Sequence, residues 1–420
     1  MEVKIQSTQI IKPSKSTPEN LSKYNLSLFD QLSASSYINL VLYYKSSNEI
    51  NISDTRGQLV NSLSKVLTLF YPLAGRIAEN GLEVDCKDQG VKYLETQVNI
   101  KMDDFLEQVP KIDHIRLLIG VPDDVTQALL VVQVNVFDCG SIVIGVSGSH
   151  KVTDVHNLVM FTNEWASMTR TGVSNGAFSP SFDNLDSVFP PKQIPSLGIS
   201  NTDEKHAKIV TKRFVFNKNT ISMLREKTGS PNRRHSRVTL VSALIWKALM
   251  TIDQVKSGTL MNGLLAPAIS LRGKVGSPVS ERSFGNVWVP YSIRFQQNEM
   301  EFKYVYLVAL IEDTTRDFVK WISKASNEEI CTRAVASYAE VGEEIKQNKF
   351  AIFTSWCRFP VYAADFGWGK PHWVSEAGRV HEMVTLVDDK YGDGIEAWVN
   401  LNEKDMYVFE QDEDILKFTS

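Results

Sequence analysis

Cysteine is scarce in this chain. Cys86, Cys139, Cys331 and Cys357 are the only four in 420 residues, and no two form a C-x-x-C pair. That excludes a disulfide scaffold and a cysteine-built zinc site, and it points to a reducing compartment. Charge of one sign is also lacking: the formal net charge is −4, which gives no electrostatic case for nucleic acid. No apolar run approaches the roughly 18 residues of a membrane span. Met1 to Asn20 sets Lys4, Lys12 and Lys15 among polar residues, without the apolar core of a secretory signal. Walker and G-x-G-x-x-G loops are absent, so nucleotide hydrolysis and nicotinamide chemistry have no support. A G-x-S-x-G elbow is absent as well, because Gly145-Val146-Ser147-Gly148-Ser149 carries Ser149 where the last glycine belongs.

What is present is an ordinary globular composition, 43% hydrophobic and 22% charged, in a chain long enough for two domains. Strands are expected at Val3 to Ile11, Ser36 to Tyr44, Ala128 to Phe137, Ser141 to Val146, Lys212 to Phe216 and Ile395 to Val399. Helical spacing marks Arg56 to Leu69, Leu158 to Thr169, Thr220 to Lys227, Thr239 to Thr251, and one or two helices over Phe318 to Ile345. Ser27 to Leu32 reads as a short turn. Both halves mix strands and helices without regular alternation, so the fold class is α+β in two domains. Residues 1–180 form the expected N-terminal domain, 181–208 a linker around Pro190, Pro191 and Pro195, and 209–420 the C-terminal domain.

The stretch with most chemistry is Ser149-His150-Lys151-Val152-Thr153-Asp154, at the end of an apolar run. A histidine delivered there, beside a Gly/Ser-rich bend, suits a general base, since neutral imidazole takes a hydroxyl proton near neutral pH. A packed or surface histidine is the plainer reading. Asp154 would pair with His150 only if both were helical, and otherwise points elsewhere. His150, Asp154 and His156 lack a third histidine or cysteine, so no metal is expected. Asp365-Phe366-Gly367-Trp368-Gly369 reads as a tight turn with an anchored aromatic. Thr354 and Trp356 offer a hydroxyl and an indole N–H to an oxyanion, or simply a half-buried strand. Arg233, Arg234 and Arg237 around Ser236 suit a phosphate or a solvated face.

The two motifs together resemble the BAHD acyltransferases of plants. So do Phe70-Tyr71-Pro72-Leu73-Ala74-Gly75-Arg76, Ile245-Trp246-Lys247, Leu271-Arg272 and Phe284-Gly285-Asn286, in the family's order along nearly the whole chain. Val132 to Gly140 and Thr354 to Arg358 are similar to the alkaloid-acetylating branch. The resemblance implies two similar mixed-sheet domains, chloramphenicol acetyltransferase-like, with a channel between them. It implies an acyl-CoA-dependent O-acyltransferase, with acetyl-CoA as co-substrate, no bound cofactor and a hydroxylated alkaloid as acceptor. His150 would deprotonate the acceptor hydroxyl for direct attack on the thioester, and Trp356 and Thr354 would hold the oxyanion or the substrate. Asp154 would be structural and paired with Arg272, with Asp365, Gly367 and Gly369 supporting the fold. Ser236 would contact coenzyme A.

Two departures from the family pattern stand out. Val155 follows the motif aspartate, where many members have glycine, and Ser270 stands two residues before Arg272, where Asp or Asn is common. The expected protein is a monomeric cytoplasmic enzyme with no nucleic-acid or membrane partner. An acylsugar, terpenoid or phenolic acceptor is the alternative, and a non-catalytic scaffold or partner protein is the alternative of another class.

Overall fold

The structure is a computed structural model that describes residues 1–46, 52–108, 111–121, 128–174, 176–193, 208–229, 233–276, 279–297, 301–347, 350–378 and 382–419. Two compact units form. The first comprises Met1–Lys192, Ser277–Val287 and Phe359–Ala377, and the second Gln193–Gly276, Trp288–Arg358 and Gly378–Ser420.

The first unit is built on a six-stranded mixed sheet. Its spatial order is Val3–Ile11, Val91–Val98, Leu130–Phe137, Ile142–Ser149, Tyr37–Tyr44 and Trp373–Ser375. Only Val91–Val98 and Leu130–Phe137 run parallel. Leu130–Phe137 and Ile142–Ser149 are buried at every position, which explains why both read as apolar runs without alternation. The helix Val155–Thr171 packs beside the helix Ile52–Leu69, where Trp165 Nε1 donates to Leu59 O at 3.2 Å.

The second unit carries a seven-stranded mixed sheet. Six strands follow the order Trp288–Pro290, Gly263–Ser270, Phe350–Ser355, Met383–Asp388, Ile395–Asn402 and Ile209–Phe216, and Ile293–Phe295 adds to Gly263–Ser270. Gly263–Ser270, Phe350–Ser355 and Met383–Asp388 are parallel neighbours. One face of this sheet packs Phe214, Phe353, Val384, Leu386, Ala397 and Val399 into the core, with Leu240, Leu244 and Trp246 of the helix Arg237–Ser257. That helix has the length and composition of a membrane span, yet most of it is buried inside the unit. Two mixed-sheet α+β units are thus the architecture that the sequence implied.

The units are not consecutive halves. The sequence assigned Asp365 to Gly369 to a C-terminal domain, whereas Phe359–Ala377 belongs to the first unit. The reason is hydrogen bonding: Trp373–Ser375 extends the first sheet by pairing antiparallel with Tyr37–Tyr44. Segment 279–287 is captured likewise, through the Ser181–Ser283 bridge. Part of the expected linker is therefore packed structure, with Phe189 buried edge-on against Phe29. Residues 194–207 of that linker, including Pro195, lie outside the described residues. Ser27 to Leu32 is also more than a turn: Leu28–Leu32 is a short helix with a capping box between Ser27 and Asp30.

Candidate active site

His150 stands one residue past the strand Ile142–Ser149 and one turn before the helix Val155–Thr171. Its backbone is pinned by the His150 N–H donating to Ser36 O at 2.8 Å. Gly148 permits the tight corner, because a Cβ there would lie 2.9 Å from both Leu158 Cδ1 and Thr153 Cγ2. The imidazole is half-buried, and its Nδ1 lies 3.0 Å from Asn286 Oδ1.

The orientation of Asn286 is fixed by its other contacts. Its Nδ2 donates to Asp30 Oδ1 at 2.8 Å and to His150 O at 2.7 Å. Oδ1 therefore faces the imidazole and can only accept, so Nδ1 carries the proton and Nε2 keeps its lone pair. Asp30 is fully buried. Its Oδ1 also accepts from Asn286 N, and its Oδ2 accepts from Ser27 N and Ser27 Oγ. Burial pushes the Asp30 carboxyl above its ordinary pKa, against the pull of these donors. Four donors on two oxygens are nonetheless the geometry of a carboxylate, and they lock Asn286 in place.

The sequence named Asn286 only within a family motif and missed Asp30. The serine–aspartate capping pair was a legible local signal for Asp30. Nothing local could pair Asn286 with a histidine 136 residues away. Gly285 makes that approach possible, with φ +115° and an N–H that donates to Asn157 Oδ1 at 2.9 Å. Phe284 anchors the segment among Tyr24, Phe70 and Phe182, so Phe70 of the Phe70–Arg76 motif helps hold it.

Asp154 is the N-cap of the helix Val155–Thr171. Its Oδ1 accepts from Asn157 N at 3.0 Å and its Oδ2 from Val287 N at 3.3 Å, tying helix and Asn286 segment together. His156 lies against Glu281 O, with Nε2 at 2.9 Å. In the 365–369 turn, Asp365 Oδ1 accepts from Gly367 N and Gly369 N, and Oδ2 pairs with Arg170 at 3.6 Å. Gly367 and Gly369 have φ +109° and +96°, which side chains resist. Phe366 packs edge-on against Tyr44 and Trp165.

The second unit carries the other named residues. Thr354 ends the strand Phe350–Ser355 and Trp356 follows it, where the Trp356 N–H continues the ladder to Leu386 O at 2.7 Å. Spacing of two puts both side chains on the sheet face opposite Phe353 and the core. The Trp356 indole N–H is buried with no hydrogen-bond partner among the described residues. Arg272 is buried, and its backbone N–H reaches Ser270 Oγ at 3.3 Å, so the serine at the second departure still serves that turn. Ser236 caps the helix Arg237–Ser257 through Thr239 N at 3.0 Å. Of the neighbouring cations, Arg237 pairs with Asp388 and Arg233 with Glu312 and Asp313.

The molecule is thus a two-unit α+β fold with an oriented, half-buried histidine at a strand end. The family model described as the Transferase family matches residues 1–416. A limonoid 21-O-acetyltransferase of Melia azedarach is 34% identical, covering 100% of this chain and 99% of its own length. Salutaridinol 7-O-acetyltransferase of Papaver somniferum is 33% identical over 97% of this chain and 96% of its own. The crystal structure of vinorine synthase superposes with a TM-score of 0.85 at 28% identity, covering 100% of this chain and 99% of that one. The chain belongs to the BAHD family of acyl-CoA-dependent acyltransferases, and its relatives include members of the alkaloid-acetylating branch.

Proposed function

We propose that this protein transfers an acetyl group from acetyl-CoA to a hydroxyl of a plant alkaloid, with His150 as general base. The observation that carries this reading is the His150 Nδ1 to Asn286 Oδ1 contact. It leaves Nε2 as the basic nitrogen, the form a proton acceptor needs. Nε2 takes the hydroxyl proton as the alcohol oxygen attacks the thioester carbonyl carbon. The resulting tetrahedral oxyanion collapses, the C–S bond breaks, and the imidazolium returns its proton to the coenzyme A thiolate. No acyl-enzyme forms. Trp356 and Thr354 donate to the oxyanion, a role supported by the Trp356 indole N–H, which has no partner among the described residues. Asp154 and Arg272 hold the frame, and Ser236 at its helix N-terminus contacts coenzyme A. The acetyl donor rests on the likeness to relatives named as acetyltransferases, and the alkaloid acceptor on the likeness to salutaridinol 7-O-acetyltransferase and vinorine synthase. Four widely spaced cysteines with no C-x-x-C pair favour a reducing, cytoplasmic setting.

The test supplies purified protein with acetyl-CoA and a pool of hydroxylated alkaloids, with acylsugars, terpenoid alcohols and phenolics in parallel. Mass spectrometry reads products heavier by one acetyl group. An acetylated alkaloid that disappears with His150→Ala is the expected result. Acetylation confined to another pool overturns the acceptor, and a product formed at full rate by the variant overturns the base.

A further inference from the structure

On the second unit's sheet, Thr354 pairs in register with Thr385 on the neighbouring parallel strand. Thr385 in turn lies opposite Trp398, and Trp398 opposite Arg213. Residues directly paired in a sheet share a face. Val384 and Leu386, flanking Thr385, point into the core, so Thr385 points to the same face as Thr354 and Trp356. At Thr385 and Trp356 that face is buried yet not apolar. Thr385 is 0% exposed and Trp356 1% exposed. Neither Thr385 Oγ1 nor Trp356 Nε1 has a hydrogen-bond partner among the described residues. Arg213, the cation of this row, is paired with Glu396 at 3.2 Å. The face therefore presents two buried neutral donors without acceptors among the described residues.

A buried hydroxyl left unmet is a cost that valine, of the same shape, would avoid. Threonine at 385 is accounted for if an acceptor atom arrives with a ligand. Two donors without a counter-charge suit an oxygen that is neutral in the ground state and gains charge during reaction. We infer that Thr385 is a further catalytic residue, whose hydroxyl joins the Trp356 indole N–H in binding the carbonyl oxygen of the acyl thioester. This deepens the proposed function and rests on its assignment of acetyl-CoA as donor. As the alcohol oxygen bonds to the carbonyl carbon, the C=O π electrons move to that oxygen, and both donors shorten onto it. They relax when the C–S bond breaks and the carbonyl re-forms.

The test compares two unreactive donors by calorimetry: ethyl-CoA, which lacks the carbonyl, and acetyldethia-CoA, in which a methylene replaces sulfur and a ketone oxygen remains. Wild-type protein is expected to bind the ketone several-fold more tightly than ethyl-CoA. In Thr385→Val the ethyl-CoA affinity holds while the ketone preference shrinks roughly three- to tenfold, the loss of about one hydrogen bond. With acetyl-CoA, kcat falls tenfold or more and KM for the alcohol holds. The ligand-free melting temperature stays or rises, and Thr385→Ser keeps the ketone preference. An unchanged ketone preference in Thr385→Val, a raised KM for the alcohol alone, or a melting temperature lowered with Thr385→Val overturns the role of Thr385. Failure of the wild-type protein to bind either analogue overturns the donor reading itself.

Discussion

Two clusters, one in each unit, treat buried polar groups in opposite ways. In the first, the network behind His150 is closed: Asp30 accepts four donors, Asn286 uses both ends of its amide, and the imidazole Nδ1 is engaged. In the second, the Trp356 indole and the Thr385 hydroxyl are buried without acceptors among the described residues. A base needs one tautomer and one orientation before the substrate arrives, and a saturated network supplies both. Donors meant for a developing oxyanion must stay unspent until it forms. The difference teaches that, in the proposed mechanism, a missing hydrogen bond and a complete set of them serve the same reaction.

The largest effect that would break this comparison is expected at the base. His150→Ala should lower kcat/KM on the order of a hundredfold or more in steady-state kinetics, with coenzyme A binding retained. A smaller loss would mean that the closed network serves packing rather than proton transfer.

Asn286→Ala comes next. It removes the acceptor of the Nδ1 proton and the side-chain donor to Asp30, while the backbone N–H donor to Asp30 remains. Stability in urea should fall by about 1–3 kcal/mol, because a buried charged acceptor is left short. Imidazole ¹⁵N shifts should then report a mixture of His150 tautomers where the wild-type protein has the proton on Nδ1, and kcat should fall more than KM rises. Unchanged tautomer signals would show that another contact orients the ring.

Gly367→Ala tests the frame apart from the chemistry. A side chain at φ +109° should cost about 1–3 kcal/mol and lower the melting temperature. Activity per folded molecule should be retained, because Gly367 lies in a turn held by Asp365 rather than in the His150 network.

The mildest test concerns the thiols. Burial pushes Cys86 and Cys357 up to about 12, which keeps them protonated at neutral pH. Burial opposes ionisation of Cys139 too, but hydrogen bonds from Met102 and Ser141 bring its pKa below the ordinary thiol value. Iodoacetamide should therefore label Cys139 first in peptide mapping, with acetyl transfer little changed. Earlier labelling of Cys357, adjacent to Trp356, would show the second unit to be more open than its burial implies.

Much of the fold was legible. The strand Val3–Ile11 coincides with its expected range, and Tyr37–Tyr44 and Leu130–Phe137 differ at their N-termini. Helices expected at Arg56 to Leu69 and Thr239 to Thr251 lengthen to Ile52–Leu69 and Arg237–Ser257. The region Phe318 to Ile345 resolves into Tyr304–Ile322 and Asn327–Gln347, two helices whose first begins earlier than its apolar spacing disclosed. Val91–Val98 and Met383–Asp388 were missed, and both owe their strand character to partners distant in sequence.

The sequence by itself determined what depends on near neighbours: apolar periodicity, the placement of His150 after an apolar strand, and the glycines that permit the 365–369 turn. Its family motifs also carried the reaction class. Tertiary structure alone decided which groups meet. Asn286 reaches Asp30 across 256 residues and His150 across 136, and Thr354 meets Thr385 only because two strands run parallel in one register. Side-chain spacing along a strand or helix is fixed by local backbone geometry, so it can be read from neighbours. The tautomer of a histidine and the solitude of a buried hydroxyl depend on atoms brought from elsewhere in the chain, and no local pattern encodes them.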